Sequence, residues 1–132
     1  MIIKNGRVFQ EDGTFAEKDL YIEGKRFVST KEEVIDQEVI DAKGMMVLPG
    51  LVDVHSHGAA GHDFSDGDVE GLKEILRYEK AHGITSYCPT SMTLPKDDLL
   101  KIFGTIEAIK DGPEAEVIAG VNMEGPFIDP IK

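Results

Sequence analysis

Residues 47–58 read VLPGLVDVHSHG. After a Pro-Gly break an apolar run begins, and it ends in two histidines one residue apart, behind an aspartate. In an extended strand, residues i and i+2 point to the same side. Asp53, His55 and His57 are therefore expected on one face, with Val52, Val54 and Ser56 on the other. At about 3.3 Å per residue, the two histidine Cα atoms stand about 6.6 Å apart. Both imidazoles then reach one metal ion through bonds of about 2.1 Å. A bare His-x-His is more often a pair of loop histidines than a ligand pair. Placed at the end of an apolar strand that follows Pro49-Gly50, it points to a metal. The GAAG of residues 58–61 suits a loop in close approach to a ligand.

Downstream the chain alternates. DVEGLKEILRYEKAHG (68–83) reads as an amphipathic helix, with Leu72, Ile75 and Leu76 on one face, acidic residues at its start and Gly83 as its stop. ITSYCPTS (84–91) reads as a second strand. PKDDLLKIFGTIEAIKDGP (95–113) reads as a second helix, with Leu99, Ile102, Phe103 and Ile106 on one stripe. AEVIAGVNMEGPF (115–127) reads as a third strand, closed by Glu124. This β-α-β-α-β order implies parallel strands with right-handed crossovers. Barrel enzymes place their chemistry at the C-terminal ends of such strands. His57 ends the first strand and Glu124 the third, so a carboxylate joins the histidines at one mouth.

Upstream, residues 1–50 read as short strands: MIIK, GRVFQ, DLYIEG, RFVST and EVIDA, with turns at Asn5-Gly6, Asp12-Gly13 and Gly24-Lys25. They are expected to form part of a small β-sandwich. The expected fold is α/β: a β-rich lead-in over 1–50, then the first three β/α units of a metal-dependent (β/α)8 barrel over 51–132. Three parallel strands leave open edges and partial helix cover, so the chain reads as a truncated piece of a longer barrel protein. A complete small three-layer α/β domain is the alternative.

Composition narrows the function. The chain has 132 residues, 41% hydrophobic and 30% charged, with a net charge of -11. Such acidity disfavours nucleic acid and anionic membrane surfaces as partners. No apolar run approaches the roughly 18 residues of a spanning helix, and MIIKNGRVF lacks a signal-peptide core. The one cysteine, Cys88, fits a reducing cytoplasm and reads as a buried inert thiol. His82, in the last turn of a helix, reads as structural. His62 reads as structural too, with a substrate-facing role as its alternative.

IDAKGMMVLPGLVDVHSHG (40–58) resembles the amidohydrolase superfamily. HGAAGHDFSD, YCPTSMT and AGVNMEGPFIDPIK resemble its branch that deacetylates N-acetylated amino-sugar phosphates. The resemblance implies His55 and His57 as first-strand metal ligands and Glu124 as the carboxylate of the catalytic metal. It implies one or two divalent ions, zinc or iron foremost. It also implies an amino-sugar phosphate substrate, a dimeric parent protein, and a catalytic aspartate beyond Lys132. A complete enzyme of this kind hydrolyses the acetamide with metal-activated water, and this chain alone is expected to be inactive. Asn122 departs from the pattern, since many relatives carry histidine two positions before the glutamate. A cyclic-amide hydrolase, or a non-catalytic module associating through sheet edges, are the competing readings.

Overall fold

The computed structural model describes residues 1–35 and 38–131. Lys132 and residues 36–37 lie outside the described residues, so the end of the expected barrel segment is not covered. The chain divides into two compact units, Met1–Pro49 and Gly50–Lys132.

In the first unit, β1 (Ile2–Phe9) pairs antiparallel with β2 (Phe15–Glu23), which pairs antiparallel with β3 (Arg26–Val28). β4 (Val39–Asp41) lies parallel to the first half of β1, and β5 (Met46–Val47) lies parallel to its second half. The result is one mixed five-stranded sheet, with Ile2, Val8, Val34 and Ala42 buried. The expected break at Asn5-Gly6 is corrected here: β1 runs straight through it. The pair forms a bulge, where the register against β2 slips between Ile3 and Gly6. Asn5 takes φ 60°, its N–H donates to Asp19 Oδ1, and its Nδ2–H donates to Asp41 Oδ1. Gly6 is demanded by packing, because a Cβ there would stand 2.6 Å from Val47 Cγ2. Asn5 alone takes the left-handed backbone of a turn residue, and the partner strand makes the pair a bulge rather than a turn.

The second unit opens with β6 (Leu51–Ser56) and a two-stranded hairpin, β7 (Gly58–Ala59) with β8 (His62–Asp63). Helix α1 (Val69–Ala81) follows, capped by Asp68, whose Oδ2 accepts from Gly71 N–H at 2.7 Å. Next come β9 (Ile84–Ser91), helix α2 (Lys96–Ile109) and β10 (Asn122–Met123). The three longer-range strands form a parallel sheet in the order β10-β9-β6. The expected third strand shrinks to two residues. Pro113–Val117 is instead a 3-10 turn, with Pro113 pre-set for its first position, and Ile118 makes only an isolated parallel bridge to Tyr87.

The core gathers Leu72, Ile75 and Leu76 of α1, Ile102 and Ile109 of α2, Tyr87 of β9, Phe64 and Val117. Both helices thus lean on the sheet face that carries Tyr87. The opposite face of β6 carries Val52 and Val54, which are 63% and 60% exposed. The helices thus cover one face of this sheet and leave these valines bare on the other.

Candidate metal centre

The pairing of β6 with β9 contains two slips that cancel. From Leu51 to Val52 the partner advances from Ile84 to Ser86; from Asp53 to Ser56 it advances only from Tyr87 to Pro89. The second slip leaves the Val54–His55 stretch without a partner in the β6–β9 register. It breaks the strict alternation expected from the sequence, and Asp53 does not join the histidines. Asp53 pairs with Tyr87 instead, and its Oδ1 accepts the His55 backbone N–H at 2.9 Å.

His55, His57 and Glu124 do come together. One ligand atom from each lies within 4.8 Å of the other two. His55 Nε2–H donates to Glu124 Oε1 at 3.0 Å, and His57 Nε2 lies 3.7 Å from the same oxygen. The two rings meet edge to face, with centroids 5.4 Å apart. His57 Nδ1 lies 3.1 Å from the Thr90 carbonyl oxygen. A carbonyl only accepts, so Nδ1 carries a proton and Nε2 is the ring nitrogen that faces Glu124. A backbone carbonyl behind a ligating imidazole is the usual means of fixing its tautomer and angle.

Two imidazole nitrogens and a carboxylate oxygen are a donor set that zinc and iron accept. The residues present fit a divalent ion. Three protein ligands also leave a coordination position for water or substrate. Glu124 follows β10 directly, and the chain then turns at Gly125, with φ 70°. A Cβ at Gly125 would sit 2.5 Å from Thr93 Cγ2, so glycine lets Thr93, in the loop after β9, approach the backbone that follows Glu124.

Sequence reasoning also passed over a buried acidic group on α1. Glu79 of α1 is 8% exposed. Burial, then the nearby Asp53 charge, push its carboxyl above the usual range, against a smaller opposing pull from His82. Its place three residues after Leu76 and four after Ile75 puts it on the helix's apolar stripe. Its neighbour Tyr87 is fully buried, its hydroxyl donates to Ser56 O at 3.2 Å, and burial pushes it up to about 12. His62 packs beside Gly71 of α1, where a Cβ would stand 2.8 Å from its Nδ1. His82 stacks on Tyr78 and donates from Nδ1 to Tyr78 O at 2.7 Å. Cys88 is half-buried rather than buried.

Known proteins resemble this chain in sequence and fold. Among curated proteins, the chain is 33% identical over 124 residues to the N-acetylglucosamine-6-phosphate deacetylase of Mus musculus, a match covering 88% of the chain and 30% of that relative. It is also 30% identical over 121 residues to the dihydroorotase of Listeria innocua, covering 89% of the chain and 28% of that protein. The chain thus spans about a third of the length of the relatives it matches. Among solved structures, the N-acetylglucosamine-6-phosphate deacetylase of Pasteurella multocida superposes with a TM-score of 0.81 at 22% identity, over 98% of this chain and 35% of that one. This likeness shows a shared α/β fold. The sequence profile of the amidohydrolase family matches residues 38–112, which carry the His-x-His strand and both helices. By that match the chain belongs to the amidohydrolase family.

Proposed function

We propose that this chain is the metal-binding opening segment of an amidohydrolase that deacetylates N-acetylglucosamine 6-phosphate. The observation carrying the reading is the convergence of His55, His57 and Glu124 at the C-terminal ends of parallel strands, in a chain similar to deacetylases over 88% of its length. The fold proposed for the whole is a (β/α)8 barrel preceded by a β-sandwich. Residues 51–132 supply three of its β/α units, and residues 1–50 supply part of the sandwich. The exposed valines of β6 support this, since they would line a closed barrel's interior.

When bound, a divalent ion, zinc or iron, supplies Lewis acidity and an activated water at neutral pH. The chain's own residues prepare for that. Thr90 holds the His57 ring, and Glu124 brings negative charge that offsets the ion's. The products would be acetate and glucosamine 6-phosphate, made by a cytoplasmic dimer.

The test uses the full-length protein loaded with zinc or iron. Acetate release from N-acetylglucosamine 6-phosphate is expected, and its loss on Glu124→Gln. No turnover by metal-replete protein refutes the reading. The dihydroorotase similarity supports a second reading, a cyclic-amide hydrolase. Hydrolysis of dihydroorotate without action on the sugar would decide for it.

A further inference from the structure

The peptide group between Val54 and His55 sits where the β6–β9 register slips, so the ladder does not hold it. Two side chains do. Asp53 Oδ1 accepts the His55 N–H at 2.9 Å. Asn122 Nδ2–H donates to the Val54 carbonyl oxygen at 3.0 Å. Donor and acceptor belong to one peptide plane, so its orientation is fixed from both ends. That plane carries the His55 Cα, and the direction of its imidazole follows.

The origin of the second contact matters. Asn122 lies on β10, two residues before Glu124, and β9 separates β10 from β6. The Asn122–Val54 bond therefore skips a strand. It ties the segment bearing Glu124 directly to the segment bearing His55. The His55–Glu124 distance of 3.0 Å is then governed by a nearby strut as well as by the sheet.

We propose that Asn122 and Asp53 are positioning residues: together they clamp the Val54–His55 peptide and set the His55 imidazole against Glu124. The proposal rests on the metal-site reading and adds to it the device that pre-organises the first ligand. Ligands held in place before the ion arrives bind it more tightly, because less ordering remains to be done.

The test needs variants that keep size while changing donors. Asn122→Asp keeps the shape and loses the N–H; Asn122→His restores a donor at the same reach from the backbone. Asp53→Asn keeps the accepting oxygen, whereas Asp53→Ala removes it. Cobalt(II) titration of the full-length protein reads affinity, and the visible absorption of the bound ion reads geometry. Hydrogen exchange at the His55 amide reads the clamp without any metal. Thermal unfolding identifies any variant that fails to fold; the conservative variants then decide.

Asn122→Asp and Asp53→Ala are expected to weaken cobalt binding by roughly 10–100-fold, to alter the spectrum and to speed His55 amide exchange. Asn122→His and Asp53→Asn are expected to stay within a few-fold of the parent. Unchanged affinity, spectrum and exchange in folded Asn122→Asp overturns the proposal. If the parent itself binds no cobalt, the metal reading fails, and the His55 amide still decides the clamp: protection that survives both substitutions overturns it.

Discussion

Replacing Tyr87 by phenylalanine should cost stability at pH 8 and confer it at pH 11. The ring is fully buried among α1 and α2 residues, so the substitution leaves the packing intact and removes only the hydroxyl. That hydroxyl donates to Ser56 O at 3.2 Å, between the two site histidines. Losing the bond and leaving a carbonyl unpaired costs about 1 kcal/mol. The alkaline side has the opposite sign. Burial, with the Glu79, Asp53 and Asp63 charges behind it, raises the phenol to about 12. An acid raised on folding contributes stability that is complete below its ordinary value of about 10 and is lost as pH climbs towards the raised one. At pH 11, halfway through a two-unit shift, the parent has lost about 1.4 kcal/mol that the phenylalanine variant never had. The difference between the two proteins therefore falls from about 1 kcal/mol in favour of tyrosine to about 0.4 kcal/mol against it. Urea unfolding of both proteins at pH 8, 9.5 and 11 measures this. A difference that stays constant across the series refutes the buried, neutral phenol.

Glu79→Gln should stabilise the protein at neutral pH and not in acid. The raised carboxyl holds its full contribution below the usual 4.5 and loses it as pH rises through the raised value, so the two unfolding curves should diverge between acid and neutral conditions. Parallel curves would show that the carboxylate is well solvated. Ile75, with 0% exposure at the centre of the α1 contact, should cost about 2–5 kcal/mol when cut to alanine, read as a lower denaturant midpoint. A loss under 1 kcal/mol would mean that the helix packs elsewhere. Gly125→Ala should weaken zinc binding in isothermal titration, because the added methyl collides with Thr93 and displaces Glu124; Thr93→Gly in the same chain should recover part of the loss.

Period-3.6 spacing made the helices legible: Leu72, Ile75 and Leu76 are buried where the pattern puts them. The acidic start of the first helix was visible as well, and the structure adds that Asp68 caps it. The parallel order followed from alternating strands and helices, which leave few other ways to connect. The strand ends were less legible. Two-residue alternation assumes an unbroken ladder, and nothing in LVDVHS announces that β6 carries a slip at Val54–His55. Asp53 was placed beside the histidines on that assumption, whereas the structure turns it back onto the His55 amide. Asn5-Gly6 carries the local signature of a turn, and only its partner strands distinguish a turn from a bulge. AEVI has strand-forming residues, but Pro113 at its head starts a tight helical turn. Glu79 was legible and overlooked: it continues the stripe of Leu72, Ile75 and Leu76, and only its residue type argued for the surface.

The contact between His55 and Glu124 joins residues 69 positions apart in the chain. Loop-closure entropy grows with the logarithm of that separation, so this pair is among the later contacts that a folding chain can afford to make. On a ribosome the two histidines emerge well before the carboxylate is synthesised. An ion held by all three, as proposed, would staple the ends of a long segment spanning both helices. Its exchange would then report on maturation, slower once β10 has packed against β9 than in a polypeptide arrested before Glu124.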